Sequence, residues 1–178
     1  NHDQPRSLPR FVGECKDKRE LAGMSLAASI LFIRATPYIY QGQEIGMTNC
    51  VFEDNDYMDI MSIRVLQTLK KHFPILLPYA RKVLNLRARD NARTPMQWTG
   101  GENAGFSTAK PWMKVNPNYT EINVEDSEKR QDSLLNFYRK ALAYRKGKEV
   151  IINGDFALVK PKDKDVFAYL REYEGKRL

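Results

Sequence analysis

Hydrophobic residues recur every three to four positions between residues 18 and 33. They are Leu21, Met24, Leu26, Ala28, Leu31 and Phe32. This spacing predicts a helix over residues 18–33, with Glu20 in the first turn, where the helix dipole favours a carboxylate. Because hydrophobic residues cover much of the circumference near the end of this segment, we expect the helix to be largely buried.

Pro37 ends the helical pattern and is followed by aromatic and apolar positions. Residues 38–40 (Tyr-Ile-Tyr) predict a short buried strand. A strand end, a loop, a helix and another strand end in succession are typical of a parallel α/β unit. Gly42 and Gly46 predict a tight turn directly after the strand.

Two further helices are predicted in the middle of the chain, over residues 59–70 and 79–89. The first keeps four apolar side chains on one face, which indicates packing against a core. These side chains are Ile60, Ile63, Leu66 and Leu69. Pro74 and Pro78 are expected to break the helical run between the two segments.

The last third of the chain changes from helical to alternating patterning. Residues 100–124 have no hydrophobic period and predict an ordered loop. Ser127 can cap a helix that runs to about residue 146 and ends at Gly147. Residues 155–160 and 166–173 then predict two strands, with another turn at residues 174–175.

The formal net charge is +7, from 29 Lys and Arg against 22 Asp and Glu. These charges are interleaved, as in residues 125–130 (Glu-Asp-Ser-Glu-Lys-Arg), so they indicate a solvated surface. A basic nucleic-acid-binding protein was the alternative, but no motif supports it. We therefore expect no nucleic-acid partner.

The cysteine content gives no indication of a metal site. Cys15 and Cys50 are the two cysteines, and neither has a second cysteine or a histidine at metal-ligand spacing. No apolar run reaches about 18 residues, and no signal-peptide pattern is present. We expect no metal, no cofactor and no membrane association, and the few cysteines favour a reducing, cytoplasmic location.

Candidate chemistry lies in the opening segment Asn1-His2-Asp3-Gln4-Pro5-Arg6. It combines a carboxylate, an imidazole and a guanidinium on a chain that Pro5 stiffens. Such a cluster suits a polyhydroxylated ligand, and the alternative is an ordinary surface turn. Two later stretches change the balance: Thr36-Pro37-Tyr38-Ile39-Tyr40-Gln41-Gly42-Gln43-Glu44-Ile45-Gly46-Met47-Thr48-Asn49, and Arg89-Asp90-Asn91-Ala92-Arg93-Thr94-Pro95-Met96-Gln97-Trp98.

In this order and spacing, the three stretches resemble the C-terminal part of the α-glucosidase and oligo-1,6-glucosidase branch of glycoside hydrolase family 13, the α-amylase superfamily. The resemblance continues to about residue 124 and then fades. It implies an α/β fold: the last two or so strands and helices of a (β/α)8 TIM barrel in residues 1–147, and the beginning of an antiparallel β domain in residues 148–178. Asn1 lies inside a motif and is not an initiator methionine, so we expect an N-terminal remainder of the same polypeptide.

The resemblance also implies roles for individual side chains. Asp3 corresponds to the carboxylate that stabilises the transition state, and His2 to a donor for a sugar hydroxyl. Arg89 is the expected sugar contact; for Arg93, a sugar contact and an ion pair that holds a loop are equally open. Arg6, Gln43 and Glu44 can shape the site, and for Gln43 and Glu44 a structural purpose is at least as plausible. None of these roles needs a metal.

The family mechanism uses a nucleophile and a general acid/base that belong to earlier strands, so they are expected outside this chain. The function implied is hydrolysis of terminal α-linked glucose from short oligosaccharides of the maltose or isomaltose type. Sucrose isomerases and trehalose-6-phosphate hydrolases share these motifs and remain alternatives. A catalytically inactive barrel that serves as a scaffold for a transporter is the alternative of another class. Met61, where family members carry an acidic residue nearby, leaves linkage preference open.

Overall fold

The computed structural model describes residues 1–13 and 18–178. Its α-helices are α1 (Ser7–Phe11), α2 (Arg19–Leu31), α3 (Ile60–His72), α4 (Leu77–Arg87), α5 (Asp90–Arg93), α6 (Val124–Lys129), α7 (Leu134–Lys146) and α8 (Glu149–Ile152). Short 3₁₀ turns cover Pro74–Leu76, Glu102–Gly105 and Pro117–Thr120, and the strands are β1 (Asp155–Leu158), β2 (Tyr169–Tyr173) and β3 (Lys176–Arg177). Within these described ranges no helix has the length and apolar content needed to cross a membrane.

The three strands form one antiparallel sheet in the order β1-β2-β3. Asp155 pairs with Glu172 between β1 and β2. Glu174 and Gly175 connect β2 to β3 with φ angles of 48° and 75°, which is the left-handed geometry of a two-residue hairpin turn. The predicted antiparallel strands and the turn at residues 174–175 are confirmed, although β1 and β2 are shorter than the predicted segments.

Helices α2 and α7 pack against each other and form the largest helical contact. Their shared core consists of Ala27, Leu31, Leu134, Tyr138 and Ala141. A second cluster joins the loop after α2 to the long loop before α6 through Ile45, Met47, Met96, Ile122 and Leu135. A third lies under α3 and α4 and contains Cys50, Phe52, Tyr57, Leu66 and Ala88. Cys50 is therefore a buried free thiol, whereas Cys15 lies outside the described residues.

Two arginines hold the C-terminal end of α2, where helix carbonyls lack partners within the helix. Arg145 of α7 donates from Nη1 to the Leu31 carbonyl at 2.6 Å. Arg171 of β2 is fully buried and donates from Nη1 to the Phe32 carbonyl at 2.9 Å. Arg171 also donates from Nη2 to the Gly154 carbonyl at 2.6 Å, so one guanidinium joins the sheet to α2.

The buried strand predicted over residues 38–40 is wrong. The backbone there is irregular, and the side chains of Tyr38 and Ile39 are 85% and 38% exposed. A strand needs a neighbour to accept and donate its ladder hydrogen bonds. The strands of the described chain, β1 to β3, pair only with one another, so this segment has no partner among them.

Two predicted helix boundaries are also wrong. Pro78 does not break a helix; it lies in the first turn of α4, where the missing N–H of proline costs nothing. Ser127 does not cap the helix that ends at Lys146, because residues 124–146 form two helices. Ser133 caps α7 by accepting a hydrogen bond from the Asn136 N–H at 3.2 Å, and Ser127 lies within α6.

Candidate functional site

The side chain of Asp3 lies at the centre of a charged cluster in the opening turn. His2 Nε2 is 3.0 Å from Asp3 Oδ2. Arg93 Nη2 and Arg89 Nη1 are 3.2 Å and 3.4 Å from Asp3 Oδ1. The Asp3 N–H donates to Asn1 Oδ1 at 2.9 Å, which fixes the turn. The Asp3 side chain is nevertheless 46% exposed, so a ligand can reach a carboxylate whose position is already defined.

The two arginines reach Asp3 from the end of the α4–α5 segment. Arg89 lies between the helices, and Arg93 is the last residue of α5, four positions later. This spacing places both guanidinium groups on the same side of one helical turn. Both arginines thus lie beside Asp3, and α5 is the local reason for it.

Arg93 uses each of its guanidinium nitrogens within the protein. Nε donates to the His2 carbonyl at 3.2 Å, Nη1 to Asp59 Oδ2 at 3.1 Å and Nη2 to Asp3 Oδ1 at 3.2 Å. Arg89 is bound more unevenly: Nε and Nη2 contact Asp59 at 2.7 Å and 3.0 Å, whereas the Nη1 contact with Asp3 is long. Arg93 therefore closes the loop around His2, and Arg89 has one nitrogen that is only weakly engaged.

Asp59 is the member of the cluster that sequence reasoning missed. Its side chain is 3% exposed and contacts both Arg89 and Arg93. Asp59 Oδ1 also caps α3 by accepting from the Met61 N–H at 2.9 Å. Burial opposes ionisation of this carboxyl, but hydrogen bonds from Arg89 and from the Met61 N–H lower the pKa of Asp59 below its ordinary value. An aspartate directly before a helical run is a recognisable capping signal, but it does not reveal the arginines 30 and 34 positions away.

Asp90 supports this arrangement from below. Its side chain is fully buried, and its Oδ1 and Oδ2 atoms accept from the Asp59 N–H at 3.0 Å and 3.2 Å. Burial raises the pKa of Asp90 above its ordinary value. Asp90 therefore faces the backbone of Asp59.

Arg6 is buried under the site and is not offered to a ligand. Its Nη1 donates to the Gln41 carbonyl at 2.5 Å, its Nε to the Asn91 carbonyl at 2.9 Å and its Nη2 to Thr94 Oγ1 at 3.0 Å. Burial lowers the pKa of Arg6 to about 10. The interpretation of Arg6 as a cation available in the opening segment is wrong, because Gln41, Asn91 and Thr94 already accept hydrogen bonds from its guanidinium nitrogens. A role in shaping the site stays a prediction.

Gly42 and Gly46 form the tight turn that the sequence predicts. Their φ angles are 82° and 69°, and a Cβ on Gly42 would lie 2.3 Å from Met47 Sδ and 3.0 Å from Arg6 Nη1. Only glycine fits both the backbone geometry and the space at this position. The turn therefore depends on close packing against Met47 and Arg6.

Gln43 and Glu44 lie in that turn. Gln43 Nε2 donates to Tyr138 Oη at 2.9 Å, which joins the turn to α7. Glu44 Oε2 is buried without a hydrogen-bond partner among the described residues. Burial raises the pKa of Glu44, against the opposing effects of backbone N–H groups and of the Arg6 charge. These contacts favour the structural interpretation of the turn, and its part in shaping the site stays a prediction.

The chemistry available at the Asp3 cluster is that of a fixed anion with adjacent donors. Carboxylate oxygens accept hydrogen bonds from hydroxyl groups, and imidazole and guanidinium N–H groups donate to them. Among residues 1–13 and 18–178, no group of three or more His, Cys, Asp or Glu side chains could hold a metal ion. The Asp3 cluster offers both acceptors and donors to the hydroxyl groups of a ligand.

The sequence is similar to curated enzymes that act on glucosides. The profile of the alpha amylase catalytic domain matches residues 1–154. A probable oligo-1,6-glucosidase 2 of Bacillus subtilis strain 168 is 45% identical over 181 residues, covering 100% of this chain and 32% of the relative. An alpha-glucosidase of Candida albicans is 41% identical, covering 98% of this chain and 32% of the relative. The chain thus spans about a third of the length of these relatives.

Solved structures agree with the sequence comparison. An isomaltulose synthase from Klebsiella sp. LX3 superposes with a TM-score of 0.92 at 39% identity, over 99% of this chain and 32% of that one. A trehalose-6-phosphate hydrolase of Bacillus licheniformis gives the same TM-score, 0.92, at 39% identity and the same coverage. The fold is therefore that of part of the alpha-amylase catalytic domain with a small antiparallel sheet. With 154 matched residues and a relative at 45% identity, the chain belongs to the alpha-amylase catalytic domain family, glycoside hydrolase family 13.

Proposed function

We propose that this chain is part of a retaining α-glucosidase that hydrolyses terminal α-linked glucose from short oligosaccharides of the maltose and isomaltose type. The observation that carries the proposal is the environment of Asp3: its carboxylate is held by His2, Arg89 and Arg93 and is still 46% exposed. The names of the oligo-1,6-glucosidase relatives supply the substrate class. In this proposal the nucleophile and the general acid/base belong to the two thirds of the relatives' length that this chain does not span.

In this proposal Asp3 acts on the transition state. Retaining glycosidases pass through a transition state with oxocarbenium character, in which the sugar ring becomes flattened and positively charged. A carboxylate already fixed in place stabilises this charge without reorganisation at the moment of reaction. Because the neutral ground-state sugar gains less from the same charge, the interaction lowers the barrier rather than only tightening binding.

The side chains beside Asp3 have different roles: some contact the ligand, and others hold the turn. His2 is 68% exposed. It donates a hydrogen bond to one sugar hydroxyl, and the neighbouring hydroxyl donates to Asp3. Arg89 contributes the weakly engaged Nη1 to the ligand, whereas Arg93, with every nitrogen bound inside the protein, holds the His2–Asp3 turn. Of the two interpretations left open for Arg93, the contacts favour the ion pair.

Two alternatives within the family remain, because the similarity does not separate them. The isomaltulose synthase and the trehalose-6-phosphate hydrolase both give TM-scores of 0.92 with this chain. Either a sucrose isomerase or a trehalose-6-phosphate hydrolase would use the Asp3 cluster in the same way. An inactive scaffold is the alternative of another class, and it gives no reason for an exposed carboxylate held by three donors.

The test is product analysis with the full-length protein that contains this chain. Maltose, isomaltose, sucrose and trehalose 6-phosphate are supplied separately, and products are followed by chromatography and by NMR of the anomeric proton. We expect glucose from maltose or isomaltose, released first as the α-anomer, and no turnover by residues 1–178 alone. Isomaltulose from sucrose, or preferred cleavage of trehalose 6-phosphate, would favour the corresponding alternative. No turnover of any of the four would favour the scaffold.

A further inference from the structure

Asp3 and Asp59 form, with Arg89 and Arg93, a balanced ion-pair group of two anions and two cations. The cations, Arg89 and Arg93, lie between Asp3, which is 46% exposed, and Asp59, which is 3% exposed. Arg89 is not shared equally: it contacts Asp59 at 2.7 Å and 3.0 Å, and Asp3 at 3.4 Å. Most of the Arg89 charge is therefore compensated on the buried side of the group.

We propose that Asp59 is a positioning residue for Asp3: it holds Arg89 and Arg93 in place from the buried side and leaves the Asp3 carboxylate available to the ligand. This inference rests on the proposed function of Asp3. No contact of Asp59 with the sugar is required, because Asp59 acts through the two arginines.

The location of Asp59 makes it suitable for this task. Its Oδ1 accepts from the Met61 N–H at the start of α3, and its own N–H donates to the buried Asp90 carboxylate at 3.0 Å. The residue is thus held through its backbone N–H and through Oδ1, in addition to its contacts with the arginines. Arg93 links Asp59 directly to the turn that carries Asp3, because its Nη1 contacts Asp59 and its Nε contacts the His2 carbonyl.

Removal of the Asp59 charge would leave Arg89 and Arg93 without the buried carboxylate that their nitrogens contact, because the Asp90 carboxylate accepts from the Asp59 backbone instead. Arg89 and Arg93 would then both pair more closely with Asp3. A close ion pair would occupy the carboxylate oxygens that the sugar needs and would offset the negative charge that stabilises the transition state. The effect is therefore expected on turnover more than on substrate binding.

A purely structural role for Asp59, as a helix cap, can be separated from this one. Asparagine is as good an N-cap as aspartate, so Asp59→Asn keeps the hydrogen bond from the Met61 N–H. Its amide N–H group, however, would face Arg89 Nε and Arg93 Nη1 in place of the Oδ2 acceptor. Asp59→Asn thus removes the positioning function and keeps the cap.

Asp54 offers a matched control elsewhere in the chain. Its side chain is 14% exposed and also pairs with two cations, Lys70 and Arg81, each at 2.8 Å. The arginine is bound through two nitrogens, as Arg89 is by Asp59. Asp54→Asn therefore makes the same chemical change in a similar ion-pair group that does not include Asp3.

The experiment measures kcat and KM for Asp3→Asn, Asp59→Asn, the double variant and Asp54→Asn in the full-length enzyme. Asp59→Asn should lower kcat by at least about tenfold, with a smaller change in KM and a thermal unfolding midpoint close to that of the wild type. In the Asp3→Asn background the same substitution should have little further effect, because Asp59 acts through Asp3. Asp54→Asn should keep wild-type kcat.

The outcomes separate this inference from the function on which it rests. Near-normal kcat in Asp3→Asn would contradict the proposed function itself. A slow Asp3→Asn enzyme with near-normal kcat in Asp59→Asn would overturn the positioning role alone. The positioning role would also be overturned if the Asp3 and Asp59 substitutions lowered kcat independently of each other. It would be overturned as well if Asp54→Asn lowered kcat as much as Asp59→Asn does.

Discussion

Arg89 Nη1 lies 3.4 Å from Asp3 Oδ1, although 86 positions separate the two residues in the sequence. This contact joins the opening turn to the segment between α4 and α5. It brings two of the recognised motifs together at one exposed surface. The contact is long because Arg89 is bound mainly by Asp59, so the geometry of Arg89 matters as much as its charge.

We predict that Arg89→Lys impairs the enzyme although the charge is kept. Lysine has a single nitrogen and cannot contact two oxygens of Asp59 while also facing Asp3. We expect kcat/KM to fall by at least about tenfold in the full-length protein. Arg81→Lys is the matched control, since Arg81 binds Asp54 through Nε and Nη2 at 2.8 Å each. Equal effects of the two substitutions, or none in Arg89→Lys, would count against the special role of Arg89.

Arg6→Met should destabilise the protein. The substitution removes one donor each from the Gln41, Asn91 and Thr94 carbonyls, and the last two belong to buried residues. An unsatisfied buried group costs about 1–3 kcal/mol. We expect a clear decrease in the thermal unfolding midpoint of the full-length protein. Arg10→Met, at an exposed position of α1, should leave the midpoint nearly unchanged. An unchanged midpoint in Arg6→Met would mean that its hydrogen bonds contribute no net stability.

Glu44 gives a prediction about pH. Because burial raises its folded-state pKa above the unfolded value, the folded protein binds more protons as Glu44 titrates, and stability falls as pH rises through this range. Glu44→Gln removes this titration. The unfolding midpoint of the variant should therefore decrease less than that of the wild type between acidic and neutral pH. Parallel pH profiles for the two proteins would contradict the effect of burial on Glu44.

Ser133→Ala should weaken the start of α7. The Ser133 hydroxyl accepts from the Asn136 N–H at 3.2 Å, and loss of such a cap typically costs about 1 kcal/mol. A decrease in the thermal midpoint is the expected result. Ser29→Ala, at an exposed position within α2, serves as the control and should change stability by less than about 0.5 kcal/mol. If both variants unfold at the same temperature, Ser133 is not an effective cap.

The sequence predicted correctly those helices and strands that are marked by the spacing of hydrophobic residues within one segment. Helices α2 and α3 and the antiparallel strands β1 and β2 follow hydrophobic periods that are visible in the chain. The strand predicted at residues 38–40 failed because a strand depends on neighbours, which the described chain does not supply. Ser127 failed as a cap because Ser133 and Asn123 are also capping residues, and propensity alone does not choose among them.

The candidate site divides in the same way. The motifs around Asp3 and Arg89 could be recognised because residue types and spacing are characteristic. Asp59 could not, because its importance comes from contacts with arginines 30 and 34 positions away. The prediction that Arg6 offers a free cation failed for a related reason, because only the fold shows that backbone carbonyls accept from its guanidinium. Long-range pairing and burial are therefore what the sequence could not supply.

The central claim, that Asp3 stabilises the transition state, is tested most directly by the turnover number of Asp3→Asn in the full-length protein. The amide has nearly the same shape as the carboxylate but lacks its negative charge. We predict an unfolding midpoint close to that of the wild type and a kcat at least about a hundredfold lower on the preferred glucoside. A folded Asp3→Asn enzyme that keeps near-normal kcat would contradict the account.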